Sequence, residues 1–305
     1  MARELELTRV KLKDDFEFYA RNCLNVRSKS GEVKPLHLNK AQLFIHACIE
    51  EQKRKTGQVR SIILKGRQQG VSTYVEGRYY WQTTHRKGVR AFILTHEADS
   101  TAALFEMVER YHESAPDFVK PTTGASNAKE LIFSKLDSGY KVGTAGNKSV
   151  GRGTTLQYFH GSEVAYWPNA AEHAKGILQA VPDEPDTEII LESTANGVGN
   201  YFYQQWQQAE AGTSPFQAIF VPWYWQDEYI KFGLNLVPTS EEEKLIELYG
   251  LTNEQLAFRR SKIAELSADG IDGEFAFRQE YPMSAQEAFQ VSGGDSLIRP
   301  ELVVQ

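Results

Sequence analysis

The chain has 305 residues, 41% of them hydrophobic and 24% charged, enough for one large or two modest domains with a real core. No apolar run approaches the roughly 18–20 residues of a membrane span, so no membrane partner is expected, and the opening Met-Ala-Arg-Glu-Leu-Glu is too charged for a signal peptide. The net charge of −6 excludes a domain that coats nucleic acid over its whole surface.

The charge is uneven. Residues 51–90 hold ten Lys/Arg against Glu51 and Glu76, so that segment is +8 and the remainder −14. A local basic patch of this kind fits contact with a nucleotide or another polyanion. Cys23 and Cys48 lack metal-ligand spacing and read as buried, reduced intracellular thiols.

In chain order, Leu5, Val10, Leu12, Phe16, Phe18, Tyr19 and Leu24 recur at partly helical spacing, predicting a helical preface over residues 1–35. Asn39 then suits the N-cap of a helix carrying Leu43, Phe44, Ile45, Cys48 and Ile49. Near its start, Gln42 offers an amide donor and acceptor that could read an adenine edge or serve as a capping side chain.

Residues 61–73, Ser-Ile-Ile-Leu-Lys-Gly-Arg-Gln-Gln-Gly-Val-Ser-Thr, are the stretch around which the chain is organised. An apolar strand (Ile62, Ile63, Leu64) runs into a polar loop from Lys65 to Gly70, and a helix is predicted from Tyr74 to Thr83. Strand, glycine-bounded turn and helix start form a phosphate-binding layout, in which backbone N–H groups and the helix dipole face one concavity. The standard pattern is Gly, four residues, then Gly-Lys-Ser/Thr. Here Lys65 stands at the first Gly and Val71 at the Lys, so cationic cover for a triphosphate falls to Lys65 or Arg67. Ser72 offers a hydroxyl to Mg²⁺.

A strand over residues 89–95 and a helix from Ala98 to Ser114 follow, then short strands at 130–133 and 140–143 joined by an Asp137-Ser138-Gly139 turn. Residues 144–155 form a glycine-rich polar loop with Lys148 and Arg152. The strand 156–160 exits through Gly161-Ser162-Glu163, which puts an acid at the mouth of an open α/β sheet. A helix at 169–180, a strand at 187–194, a helix at 200–210 and a strand at 216–221 complete the alternation. The pattern predicts a mostly parallel sheet with helices on both faces. Pro222-Trp223-Tyr224-Trp225 reads as packing rather than base stacking, and His160 as a satisfied buried histidine. Residues 239–290 are charged and helical, with Ser240 and Glu243 as a capping box.

Taken together, Gly66-Arg67-Gln68-Gln69-Gly70-Val71-Ser72-Thr73, Ser162-Glu163-Val164-Ala165, Leu191-Glu192-Ser193-Thr194-Ala195-Asn196-Gly197, Gln279-Glu280-Tyr281-Pro282 and Glu287-Ala288-Phe289 resemble a large terminase subunit. In that family an ATPase drives viral double-stranded DNA into a procapsid. The resemblance runs from about Leu38 to Phe289 and implies an α/β P-loop NTPase core of the ASCE type over 36–230. A small α-helical lid would follow at 231–290, and residues 291–305 would begin a linker to an absent nuclease domain, so no nuclease activity is expected of this chain.

The resemblance also implies roles for particular residues. Gln42 would contact adenine. Lys65, Gly66, Arg67, Gln68, Gln69, Gly70, Val71, Ser72 and Thr73 would form the ATP-binding Walker A loop. Glu163 would be the catalytic Glu closing Walker B, and Ser193, Thr194 and Asn196 the coupling motif. Arg152 would be a finger acting across subunits, the alternative on its own residues being a DNA phosphate contact. Ser72 would hold Mg²⁺, through water with Ser162. One departure stands out: Walker B normally has an Asp before the Glu, and Ser162 occupies that place, leaving water or Glu192 to help.

ATP and Mg²⁺ are the implied cofactors. Double-stranded DNA, a portal protein, the small terminase subunit and further copies in a homo-oligomeric ring are the implied partners. The host cytoplasm, transiently at the procapsid portal, is the implied location. Two other readings share the elements: a helicase-like remodeller of nucleic acid, and a non-hydrolysing scaffold that binds nucleotide or portal.

Overall fold

The computed structural model describes residues 2–127, 129–146, 155–233, 236–267 and 271–289. It opens with helices α1 (Ala2–Asp14) and α2 (Phe16–Cys23), then an antiparallel hairpin of β1 (Asn25–Arg27) and β2 (Val33–Pro35). The preface predicted as helical is therefore helical only to Cys23. Gly31, at φ +86°, turns the hairpin, and Val26 and Val33 favour its extended arms.

The core consists of α3 (Lys40–Thr56), β3 (Val59–Lys65), α4 (Val71–His85), β4 (Arg90–Thr95), α5 (Ala98–Ser114), β5 (Ala125–Asn127), β6 (Glu130–Phe133), β7 (Ser138–Thr144), β8 (Tyr158–Ser162), α6 (Ala170–Leu178), β9 (Glu188–Ser193), α7 (Tyr201–Glu210) and β10 (Gln217–Val221). Eight strands form one sheet in the order β10-β3-β9-β8-β4-β7-β6-β5, and β6 runs against the others, pairing antiparallel with both β7 and β5. Every parallel strand thus ends on the same edge, which gathers Lys65, Thr95, Ser162 and Ser193.

Strand β3 is buried along its whole length, as a central parallel strand covered on both faces must be. Its alternation sorts the two layers. Ile63 belongs to the core layer that includes α2, α3, α4 and α5, whereas Ile62 and Leu64 belong to the one that includes α6 and α7. Ser138 and Gly139 belong to β7 rather than to the turn predicted for them. Asp137, at φ +47°, makes the reversal, and the Ser138 hydroxyl donates to the Thr83 carbonyl inside the core.

Helices α8 (Ser240–Tyr249), α9 (Asn253–Leu266), α10 (Gly273–Glu280) and α11 (Ala285–Ala288) follow β10. Trp223, fully buried, packs on Phe258 of α9, Phe277 of α10 and Tyr229 of the preceding loop, while Tyr224 meets Tyr249 of α8. Ala288 and Phe289 return to the sheet beside Phe202, Tyr203 and Trp206. The capping box of α8 is Thr239 with Glu242, one residue earlier than predicted. The run Thr239-Ser240-Glu241-Glu242-Glu243 fits the motif in either frame. Thr239 holds the extended cap geometry, while Glu242 also binds Arg260.

The basic segment 51–90 is largely internal in its charge. Arg78 is fully buried against Glu188 and Glu50, Lys53 and Arg86 bind Asp186, and Arg90 binds Asp137. Arg60 is consumed by the carbonyls of Val59, Pro182 and Thr187. The patch read from the sequence is therefore neutralised mainly by acids brought in from later strands and loops. Cys23 is buried and Cys48 half-buried, and both are free thiols.

Candidate active site

The loop between β3 and α4 has a backbone set by its neighbours. Gly70 lies at φ +75°, and a Cβ there would stand 2.7 Å from the Gln42 amide nitrogen. Gly66 passes against Trp223, where a Cβ would meet backbone at 3.3 Å. Gln68 also takes the left-handed region, at φ +52°, a conformation that costs a non-glycine residue roughly 1–2 kcal/mol.

The helical layer grips the loop from outside. Arg67 N–H donates to the Glu280 carbonyl, Tyr229 donates to the Arg67 carbonyl, and Gln69 donates to the Trp223 carbonyl. Gln42 is 3% exposed; its Oε1 accepts from Asn39 N–H and its Nε2 donates to the Gly70 carbonyl. In this structure Gln42 caps α3 and holds the far end of the loop.

Lys65 ends β3 and turns inward. Its Nζ lies 2.7 Å from Glu163 Oε1 and 3.2 Å from Glu192 Oε2. Burial alone would lower the ammonium's pKa, but the two carboxylates raise it above the ordinary lysine value. Arg67, by contrast, is exposed and pairs with Glu280 at 3.3 Å.

Glu163 sits just past β8 in the left-handed region, at φ +52°. Such strain in a non-glycine residue marks positions over-determined by their surroundings. Its Oε2 accepts from Ser193 Oγ and Thr194 N–H, each at 3.3 Å. Asn196 donates to the Ala165 carbonyl and Tyr166 reaches Thr194. The end of β9 thereby wraps the turn that carries Glu163.

Glu192 is fully buried on β9 and collects the remaining polar groups. Its Oε1 accepts from Ser162 Oγ at 2.7 Å and Ser72 Oγ at 2.9 Å, with His160 Nε2 at 3.5 Å. Burial would raise its pKa, yet Lys65 and His160 hold it well below the usual carboxylate range. Behind it, His160 Nδ1 binds Glu76 at 2.7 Å, and Tyr140 donates to Glu76. Burial would depress His160, but its polar contacts to the Glu192 and Glu76 carboxylates lift it to about 9. His160 thus lies buried between two acids that favour its charged form.

These groups border a cleft of ≈ 410 Å³ lined by Lys65, Arg67, Gln68, Glu163, Thr194 and Glu280, with His96, Glu97, Ser100 and Tyr166 on its other wall. That volume falls within the ~300–1,000 Å³ of small-molecule sites. Val71 is buried at the start of α4, and the Thr73 carbonyl accepts from Tyr111. Arg152 lies outside the described residues. His96, Glu97 and Ser100 escaped the sequence reading because nothing in the strand β4 and its exit signals a ligand.

The residues suit a magnesium ion. Ser72, Ser162 and Glu192 form an all-oxygen group, as Mg²⁺ prefers, and Glu192 Oε2 is a buried oxygen with no aligned hydrogen-bond donor. Among the described residues no cluster of three or more His, Cys, Asp or Glu could hold a metal.

A parallel sheet with a glycine-bounded loop leading into a helix, and an acid after a nearby strand, defines the P-loop NTPase fold. More particularly, the fold is that of the large terminase ATPase domain. The crystal structure of the HK97 bacteriophage large terminase matches 88% of this chain at 15% identity with a TM-score of 0.63. The Thermus phage P74-26 large terminase ATPase domain matches 81% at 19% identity with a TM-score of 0.52. The match covers 92% of the P74-26 domain but 54% of the HK97 protein, so the chain spans about half the length of the latter. At these identities the likeness is one of fold. No protein-family model matches the chain, and a search of curated proteins finds no match.

Proposed function

We propose that this chain is the ATPase domain of a viral large terminase, a Mg²⁺-dependent ATP hydrolase that moves double-stranded DNA into a procapsid. The observation that carries the reading is the meeting of Lys65 with Glu163, 2.7 Å apart, at the mouth of the loop 65–73. The shared fold with large terminase ATPase domains supports the same conclusion.

In this reading the loop's N–H groups and the N-terminus of α4 receive the phosphates. Lys65 exchanges its carboxylates for phosphate oxygens, which releases Glu163 to orient and deprotonate the attacking water. Ser72 would hold the metal, which when bound neutralises charge on the phosphate oxygens. Ser193 and Thr194 touch Glu163 directly, so they sense its change of partner and pass it along β9. Arg152, from a neighbouring copy, stabilises the transition state, an arrangement worth ~10³–10⁵ in rate. A ring of copies, the portal protein and the small terminase subunit would complete the motor, at the procapsid portal in the host cytoplasm.

Phosphate release by the purified chain, with and without long duplex DNA, tests this. Mg²⁺-dependent release stimulated by the duplex is expected. Nucleotide binding without release in either condition would favour a scaffold instead.

A further inference from the structure

The place before Glu163, where a P-loop enzyme carries a metal-side Asp, holds Ser162. The structure brings a carboxylate there by another route. Strand β9 lies directly beside β8, and Ser162 is in register with Glu192. Lateral partners in a parallel sheet point to the same face about 4.8 Å apart. A Glu side chain, one methylene longer than Asp, spans much of that offset.

The result is measurable: Glu192 Oε1 accepts from both the serine that replaces the Asp and the helix serine Ser72, at 2.7 and 2.9 Å. A fully buried carboxylate is costly unless paired and hydrogen-bonded. Here it is held from behind as well. Helix α4 presents Ser72 and Glu76 one turn apart, and Glu76 fixes the imidazole of His160, which lies 3.5 Å from the same carboxylate oxygen. Among the described residues, the other oxygen, Oε2, has the ammonium of Lys65 as its sole partner. When Lys65 turns to phosphate, that oxygen needs a new positive or donor partner.

We propose that Glu192 is the metal-positioning carboxylate of this site, accepting from metal-bound water while Ser72 ligates the ion, and that His160 and Glu76 set its orientation. The proposal rests on the ATPase reading, and Glu192 acts on the metal rather than on the reacting phosphorus. The missing Asp is thereby a relocation of the acid to the next strand, not a loss of it.

The test compares affinity for a non-hydrolysed ATP analogue in EDTA and in Mg²⁺ or Mn²⁺, by titration calorimetry. The unaltered chain is expected to bind more tightly with metal. Glu192→Gln should bind as the unaltered chain does in EDTA and lose the metal-dependent gain, about 10–100-fold for a group that orients metal ligands. Because Lys65 and His160 lose their partner in that variant, two others guard the result. Glu192→Asp keeps the charge but withdraws it by one methylene, and should reduce the gain. The exchange Ser162→Asp with Glu192→Ser returns the acid to β8 and should restore it. A full metal-dependent gain in Glu192→Gln, or in Glu192→Asp if the former does not fold, overturns the proposal. So does an exchange variant that binds nucleotide without any gain. If none of the three folds, a Mn²⁺–nucleotide complex of the unaltered chain decides: Glu192 bonded to a metal-bound water supports the assignment, and Glu192 still clasped by Lys65 refutes it. Failure of the unaltered chain to bind nucleotide at all would instead end the ATPase reading.

Discussion

Lys65→Met removes the cation that joins the two site carboxylates while keeping most of the side-chain volume. The Lys65 side chain is 6% exposed, and one of its partners, Glu192, is fully buried. Removing one member of a buried ion pair leaves an uncompensated charge and costs ~3–5 kcal/mol. His160 remains beside Glu192, which places the expected loss near the lower end, ~3 kcal/mol. Arg67→Ala is the control. Its side chain is 56% exposed, with the guanidinium 3.3 Å from Glu280, and exposed pairs of this kind contribute less than about 1 kcal/mol. Urea unfolding of both variants at pH 7, followed by far-UV circular dichroism, measures the difference. Equal losses, or a loss below about 1 kcal/mol for Lys65→Met, would refute the view that Lys65 is clasped by the site acids in the nucleotide-free protein.

Glu163→Gln should lower turnover by at least ~10²-fold, the lower bound for losing a general base, while nucleotide affinity stays within a few-fold; hydrolysis and binding assays on the same sample check this. Mixing an Arg152→Ala chain with a Glu163→Ala chain under assembling conditions should restore part of the activity, since each supplies what the other lacks; no rescue would argue against action across subunits. Gly70→Ala should destabilise by more than ~1 kcal/mol, because a Cβ at φ +75° also strikes the Gln42 amide at 2.7 Å; thermal melting measures it. Glu188 is buried against Arg78, at 2.7 and 2.8 Å; burial would raise its pKa, but Arg78 holds it below the ordinary value. A depressed folded-state pKa contributes stability that is present above the unfolded value of about 4.3 and fades as pH falls through the folded one. Glu188→Gln should therefore cost ~3–5 kcal/mol at pH 7, and urea midpoints should show the gap from the parent narrowing below about pH 4.

The alternation of strands and helices was readable because buried parallel strands such as Ile62-Ile63-Leu64 are short apolar runs with polar exits. The loop 65–73 and Glu163 were legible for the same reason, as polar breaks at strand ends. What the chain does not spell out is lateral order. β9 lies between β3 and β8 although it follows both in sequence, and only that order brings Glu192 to Ser72 and Ser162. His160 looked like an ordinary buried histidine because its partners, Glu76 and Glu192, lie 84 and 32 positions away in either direction along the chain. The basic segment misled for a related reason: Arg78 and Lys53 find Glu188 only when β9 is laid beside β3. The β1–β2 hairpin was missed because three-residue arms carry too little periodicity to compete with the helical pattern before them.

The central claim is that a triphosphate displaces the acids from Lys65 and brings Glu163 to face its terminal phosphorus. A crystal structure of the chain with Mg²⁺ and a non-hydrolysed ATP analogue measures this directly. The predicted result is Lys65 Nζ on phosphate oxygens, the phosphates cradled by residues 66–72, and the Glu163 carboxylate free of Lys65 with a water between it and the phosphorus. Nucleotide bound away from that loop, with Lys65 still joined to Glu163 and Glu192, would contradict the account.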